Sequence, residues 1–309
     1  MEKQKIILDV DPGADDAIAM IYAFLCKELD IKLISVVGGN VGIDQAGLNA
    51  LFLTENFAKY NIPVVKGSGK SLKVTIDHKL SVHGKKGLGS EIEVESTNLK
   101  EINRPDYGAD EAIRDTIIAN KGEIIYVCLG PSTNLALALR KYPELKKMIK
   151  SVLIMGGSVD GSGSITPFAG FNVYCDPEAC KEVIKSRLPI VFSPKELGLS
   201  AYLTSASLNK WVTFGRTGET AKKICTGYHD LLLPTNKVAT HDLCAIMSIV
   251  HPEFYTSQKV TVKLNTTMNK KRGQTIFTQN ENSRITLLTS CNRSKVLKEF
   301  EKKLKSADI

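Results

Sequence analysis

Six short strand-like runs, at 5–11, 31–37, 63–66, 123–129, 151–155 and 189–192, alternate with helix-patterned segments at 15–29, 44–60, 110–120, 133–142 and 177–185. Strands separated by crossover helices specify a parallel sheet, because a tight turn cannot join parallel neighbours. The pattern predicts an α/β fold with a mostly parallel, Rossmann-like open sheet flanked by helices. In such a sheet the ligand crevice lies beyond the carboxyl ends of the strands. Gly38-Gly39-Asn40, Leu129-Gly130-Pro131-Ser132 and Met155-Gly156-Gly157-Ser158 are glycine-containing loops at that edge. Residues 198–250 read as mostly helical, with Trp211 packed in a helix pair. Additional C-terminal strands at 259–263, 274–278 and 285–288 precede a charged final helix. With no internal repeat or linker, residues 1–309 read as one domain. A polar, glycine-rich excursion at 67–105, containing His78, His83 and Gly84, breaks the rhythm; a loop this long in a compact domain is functional or disordered.

The first strand runs into Asp9-Val10-Asp11-Pro12-Gly13-Ala14-Asp15-Asp16, four carboxylates within eight residues. Strand alternation puts Asp9 and Asp11 on the same side, and Pro12-Gly13 hands the chain to a helix opened by Asp15-Asp16. Acidic residues favour a helix N-terminus, which accounts for Asp15 and Asp16 but not for Asp9 and Asp11. Charges this close repel unless a positive group sits among them, and a hard divalent cation with oxygen ligands is the natural neutraliser.

Composition narrows the setting. No run of about 20 apolar residues is present to form a transmembrane helix, and Met1-Glu2-Lys3 leads into a strand without a signal-peptide pattern. Seven scattered cysteines, an odd number, suit a reducing compartment, so a cytoplasmic protein is expected. The net charge of +8 is spread over separated lysine pairs. Only Lys270-Lys271-Arg272 clusters, without aromatics for base stacking, so a small-molecule partner is expected rather than nucleic acid. No G-x-G-x-x-G follows the first strand and no G-K-[ST] phosphate loop occurs.

His241-Asp242 is the second concentration of chemistry, following Val238-Ala239-Thr240 and opening the apolar helix pattern at 243–250. Alone, the pair reads equally as a loop histidine and a helix N-terminal carboxylate. Beside the acidic loop, Asp242 can complete an oxygen shell, and His241 has the side-chain type that titrates near neutral pH and can hand a proton to a leaving group.

These segments resemble the inosine/uridine-preferring, nonspecific ribonucleoside hydrolases nearly end to end. The resemblance rests on DVDPGADDAIA (9–19), VVGGN (36–40), HGKKGL (83–88), LGPSTNLALAL (129–139), IMGGS (154–158), FNVYCDPEA (171–179) and HDLCA (241–245). It implies calcium-dependent hydrolysis of the N-glycosidic bond of ribonucleosides, releasing base and ribose. It implies Ca²⁺ held by Asp11, Asp16, Asp242 and the Leu129 carbonyl, with Asp11 also acting as general base on the attacking water. Asp15, Asn40 and Asn172 would hydrogen-bond the ribose diol and that water. Met155 and Phe171 would lie along the substrate, while His83 and His241 would face the base, with His241 protonating a departing purine. A homodimer or homotetramer is also implied. This assignment agrees with an oxocarbenium-like transition state, whose positive sugar is stabilised by surrounding carboxylates.

Two positions depart from the family pattern. Gly170 stands before the Phe171-Asn172 pair, where members usually carry an acidic residue that binds the ribose 5′-hydroxyl. Six residues earlier, Ser164 stands where asparagine is usual. Either water and neighbouring groups take over these contacts, or the lost carboxylate admits a different 5′ substituent, a 5′-phosphate included. A modified-base nucleoside is also consistent with these changes. Two other functional classes stay open. One is a non-catalytic nucleoside- or ribose-binding module. The other is a phosphatase resembling the haloacid dehalogenase superfamily, with Asp9 as nucleophile, although Pro12-Gly13-Ala14-Asp15-Asp16 does not fit that pattern.

Overall fold

The computed structural model describes residues 2–75, 83, 86–89, 92–94, 107–231 and 237–307, without side-chain detail at 227–231. Among the described residues, nine strands form one sheet: β1 (Gln4–Val10), β2 (Leu29–Val36), β3 (Val64–Lys66), β4 (Ile125–Cys128), β5 (Ser151–Met155), β6 (Ile190–Ser193), β7 (Tyr255–Leu264), β8 (Thr275–Gln279) and β9 (Ile285–Cys291). Their spatial order is β8-β7-β9-β6-β5-β4-β1-β2-β3. Pairing is parallel from β3 through β9 and antiparallel for β9·β7 and β7·β8. The expected mostly parallel sheet with C-terminal additions is therefore present. A separate antiparallel pair joins Leu203–Thr204 to Lys237–Val238.

β1 is an interior strand of the parallel region, paired with β2 and β4, and its period of two feeds both helical layers. Ile6, Leu8 and Val10 enter one hydrophobic cluster, while Ile7 enters the other. Burial on both faces explains why this strand reads as a nearly continuous apolar run. The first helix, Ala14–Leu25, is shorter than the 15–29 pattern because Leu29 already begins β2. The three residues Asp11-Pro12-Gly13 join the sheet's carboxyl edge to a buried helix. Trp211 is fully buried and packs edge-on against Phe300 of the final helix, with ring centroids 5.2 Å apart. His78 and Gly84 of the long excursion lie outside the described residues, whereas His83 is described and buried.

β1 ends at Val10, so strand alternation does not extend to Asp11. Asp9 is directed into a hydrogen-bonded core position, while Asp11 belongs to the acidic cluster at the strand's end. This division separates two carboxylates that alternation placed on the same side.

Candidate active site

The acidic loop is organised around Asp16. Its Oδ1 accepts the Asp11 N–H at 3.3 Å, and its Oδ2 accepts the Gly13 N–H at 3.1 Å and the Asn40 amide at 3.0 Å. The Gly13 contact satisfies an orphan donor at the helix start. Asp11 Oδ2 accepts the Asn40 backbone N–H at 2.7 Å. Asp242 joins from the first turn of the helix His241–Val250. Ligand atoms of Asp15, Asp16 and Asp242 lie within 4.8 Å of one another.

This cluster is short of positive charge. Asp11 and Asp16 are fully buried and Asp242 is 2% exposed. Burial holds Asp11 and Asp242 well above the usual carboxylate range, and repulsion from neighbouring acids adds to it. Burial and then Asp15 raise Asp16 to about 7. Asp11 Oδ1 and Asp242 Oδ1 have no hydrogen-bond partner. Buried acceptors without donors are costly, and an all-oxygen set of this charge fits a hard divalent cation. The carboxylates therefore fit a metal. The geometry joins Asp15 to Asp16 and Asp242, whereas the ligand set implied by resemblance contains Asp11 instead.

Asp9 has a different environment. It accepts hydrogen bonds from Ser35 Oγ at 2.7 Å, Asn134 Nδ2 at 2.8 Å and Tyr126 OH at 3.0 Å. Burial outweighs these bonds and raises its pKa to about 7. It does not line the cavity described next. Such an enclosed, saturated carboxylate supports the strand end and is not placed to act as a phosphatase nucleophile.

A cavity of about 310 Å³ opens over the cluster. Asp15, Asn40, His83, Leu129, Met155, Phe171, Asn172, His241 and Asp242 all line it, so the structure brings together these nine expected residues. Asp11 and Asp16 do not line it. The Asn172 amide donates to the Leu129 carbonyl and, at 3.2 Å, to the Met155 carbonyl. Both departures from the family pattern, Ser164 and Gly170, line the same cavity.

The histidines are held differently. His83 Nδ1 accepts the Ala14 N–H at 3.1 Å, leaving Nε2 as the nitrogen that carries hydrogen in the neutral ring. That Nε2 is 3.5 Å from Asp15 Oδ1. Burial lowers the pKa of both histidines, against the opposing pull of Asp15. His241 Nδ1 is buried without a partner.

Sequence reasoning placed no site residue on the helix Lys195–Ser200, which begins three residues before the region 198–250 read as mostly helical. Lys195 and Leu199 line the cavity, and the Gly198 carbonyl accepts the Thr240 N–H at 3.1 Å. A Cβ on Gly198 would fall 2.5 Å from the His241 backbone N and Cα. This short helix is therefore seated against the start of the His241-Asp242 helix. The available signal was positional: Lys195 stands two residues beyond β6, at the edge where α/β sheets bind ligands.

Comparison with known proteins gives the family. The sequence profile described as inosine-uridine preferring nucleoside hydrolase matches residues 6–299. The non-specific ribonucleoside hydrolases RihC of Salmonella newport (strain SL254) and Shigella boydii serotype 4 (strain Sb227) are each 36% identical to this chain over 271 residues. The matched region covers 88% of this chain in both, and 86% and 87% of the respective relatives. Among solved structures, the plant nucleoside hydrolase PpNRh1 superposes with a TM-score of 0.90 at 26% identity, covering 98% of this chain and 99% of that one. The purine-preferring ribonucleoside hydrolase from Gardnerella vaginalis gives a TM-score of 0.90 at 25% identity, with 98% of each chain covered.

Proposed function

Because the chain belongs to the inosine-uridine preferring nucleoside hydrolase family, whose members are N-ribohydrolases, we propose that it hydrolyses ribonucleosides to free base and ribose in a calcium-dependent reaction. The observation that carries this reading is the pair of buried, unpartnered carboxylate oxygens, Asp11 Oδ1 and Asp242 Oδ1, in the acidic cluster from which Asp15 and Asp242 line the cavity.

Asp11, Asp16, Asp242 and the Leu129 carbonyl would hold the calcium ion. When bound, the ion offsets the carboxylate charge, orients a diol and makes a water easier to deprotonate. Asp11 takes the proton from the attacking water, using the oxygen that Asn40 does not engage. Asp15, Asn40 and Asn172 orient the ribose diol and the water, while Met155 and Phe171 line the sugar. The carboxylates stabilise the positive charge that develops on ribose as the glycosidic bond lengthens. His241 faces the departing base: in the neutral form that burial favours, its N–H donates a hydrogen bond to that base, and protonation of a departing purine proceeds from the imidazolium form. His83 also faces the base and buttresses Asp15.

Ser164 and Gly170 line the part of the cavity assigned to the ribose 5′ end, and the missing acidic side chain there admits 5′-modified substrates, 5′-phosphorylated ones included. The seven free cysteines are consistent with action in the cytoplasm, and a homodimer or homotetramer is the proposed assembly. No described helix is long and apolar enough to cross a membrane.

A panel of purine and pyrimidine ribonucleosides, assayed for free base and reducing sugar with calcium and after chelation, tests the reaction. Base release that is lost on chelation and restored by calcium is expected. Tight nucleoside binding without base release would overturn the hydrolase reading in favour of a binding module.

A further inference from the structure

We propose that Lys195 and the glycine wall beside it form a recognition site for the 5′-phosphate of nucleoside 5′-monophosphates. This inference rests on the assignment of the Ser164–Gly170 side of the cavity to the ribose 5′ end. It goes further by naming the group that selects the substituent.

Lys195 lines the cavity together with Gly156, Gly157, Ser164 and Gly170. Its backbone N–H donates to the Gly157 carbonyl at 3.2 Å, fixing the base of the side chain to that wall. Its Nζ donates to Ser162 Oγ at 2.8 Å, and among the described residues it makes no ion pair. The acids beside it are already engaged: Asp160 Oδ1 accepts from the Ser162 hydroxyl, the Ser162 N–H and the Ser158 hydroxyl, and Glu196 Oε1 accepts from the Ser158 hydroxyl and the Val159 N–H. An ammonium has three donors, so one bond to Ser162 leaves two for an incoming anion.

The wall also has room. A Cβ on Gly170 would meet only the Gly157 carbonyl oxygen at 3.6 Å and nitrogen at 4.0 Å. These are ordinary contact distances, so a side chain at this position is sterically allowed and glycine leaves its place empty. A carboxylate there would repel a phosphate, whereas Lys195 attracts one. Asp15 and Asp242 carry the opposite charge elsewhere in the cavity. A bound anion is therefore directed away from them and toward Lys195, leaving the diol for the acids. Lysine serves as a point charge for phosphate and needs no planar, bidentate geometry.

The experiment compares kcat/KM for matched nucleosides and their 5′-monophosphates in the wild type and in Lys195→Met, Lys195→Arg and Gly170→Glu. Calorimetric binding of ribose 5-phosphate and ribose is measured alongside. The wild type should prefer the monophosphate. Lys195→Met should lower the monophosphate-to-nucleoside ratio by about 10- to 100-fold, as expected for a charged hydrogen bond, and Lys195→Arg should restore most of it. Gly170→Glu should reverse the preference. Ribose 5-phosphate should bind more tightly than ribose, and Lys195→Met should erase that difference. A ratio unmoved by Lys195→Met, or a wild-type preference for unmodified nucleosides, overturns the phosphate site while leaving the hydrolase reading intact. Lys195-dependent binding of ribose 5-phosphate without base release from any substrate overturns the hydrolase reading alone.

Discussion

The Asn40 backbone N–H donates to Asp11 Oδ2 at 2.7 Å, while Oδ1 of the same carboxylate meets no donor. One oxygen is anchored and the other is left for chemistry. Two glycines make the arrangement sterically feasible. A Cβ on Gly130 would lie 2.7 Å from Asp11 Oδ1, and a Cβ on Gly39 would collide with Oδ2. The loops after β1, β2 and β4 thus converge on a single carboxylate, which explains why glycines stand at the carboxyl ends of the latter two strands.

Asp11→Asn removes the proposed base and weakens one ligand while nearly preserving side-chain volume. Its kcat should fall by about 10²- to 10⁴-fold, the usual contribution of a positioned acid or base, with a smaller change in KM. Steady-state kinetics at saturating calcium checks this. A rise in KM with unchanged kcat would remove Asp11 from the chemical step.

Asp16→Asn and Asp242→Ala should each weaken calcium binding at least about tenfold, as expected for the loss of a charged buried interaction. Asp15→Asn should instead act mainly on KM. Calcium titration by calorimetry separates these outcomes and decides between the Asp11-containing ligand set and the closer grouping of Asp15 with Asp16 and Asp242.

The raised acids make stability depend on pH in a definite direction. Asp9 and Asp16 hold their protons up to about 7 in the folded, metal-free chain, well above the ordinary carboxylate value. Between those two values the folded state binds more protons than the unfolded state, so stability falls as pH rises through that window. Calcium binding requires ionised ligands and releases the Asp16 proton. The melting-temperature gap between calcium-loaded and chelator-treated protein should therefore be wider at about pH 8 than at about pH 5. Differential scanning calorimetry reads the gap directly; an equal gap at both pH values would contradict the linkage.

Much of this was legible in the sequence because strong local signals coincided with the sheet's edge. β1 was visible as an apolar run ending in acids, and HDLCA carried a second acid at a helix start. The different fates of Asp9 and Asp11 were not legible. They depend on where β1 stops and on Ser35, Asn134 and Tyr126, which come from distant segments. Lys195 was missed because Pro194-Lys195-Glu196 reads locally as an ordinary helix start. Its position in the cavity follows only from sheet order, which places β6 beside β5 and its Met155.

Gly198 provides the sharpest test of how the helix Lys195–Ser200 supports the reaction. His241→Ala should slow release of purines more than release of better leaving groups, since only poor leaving groups need proton donation. Gly198→Ala should act more broadly. Its Cβ would press on the His241 backbone as well as the ring, so the first helical turn must shift. That turn also carries Asp242. Gly198→Ala should therefore show the same leaving-group dependence as His241→Ala and, in addition, weaker calcium binding. A leaving-group series measured with a parallel calcium titration distinguishes the two variants. If Gly198→Ala retained wild-type calcium affinity, its contact would serve the imidazole alone and Asp242 would be positioned independently of this short helix.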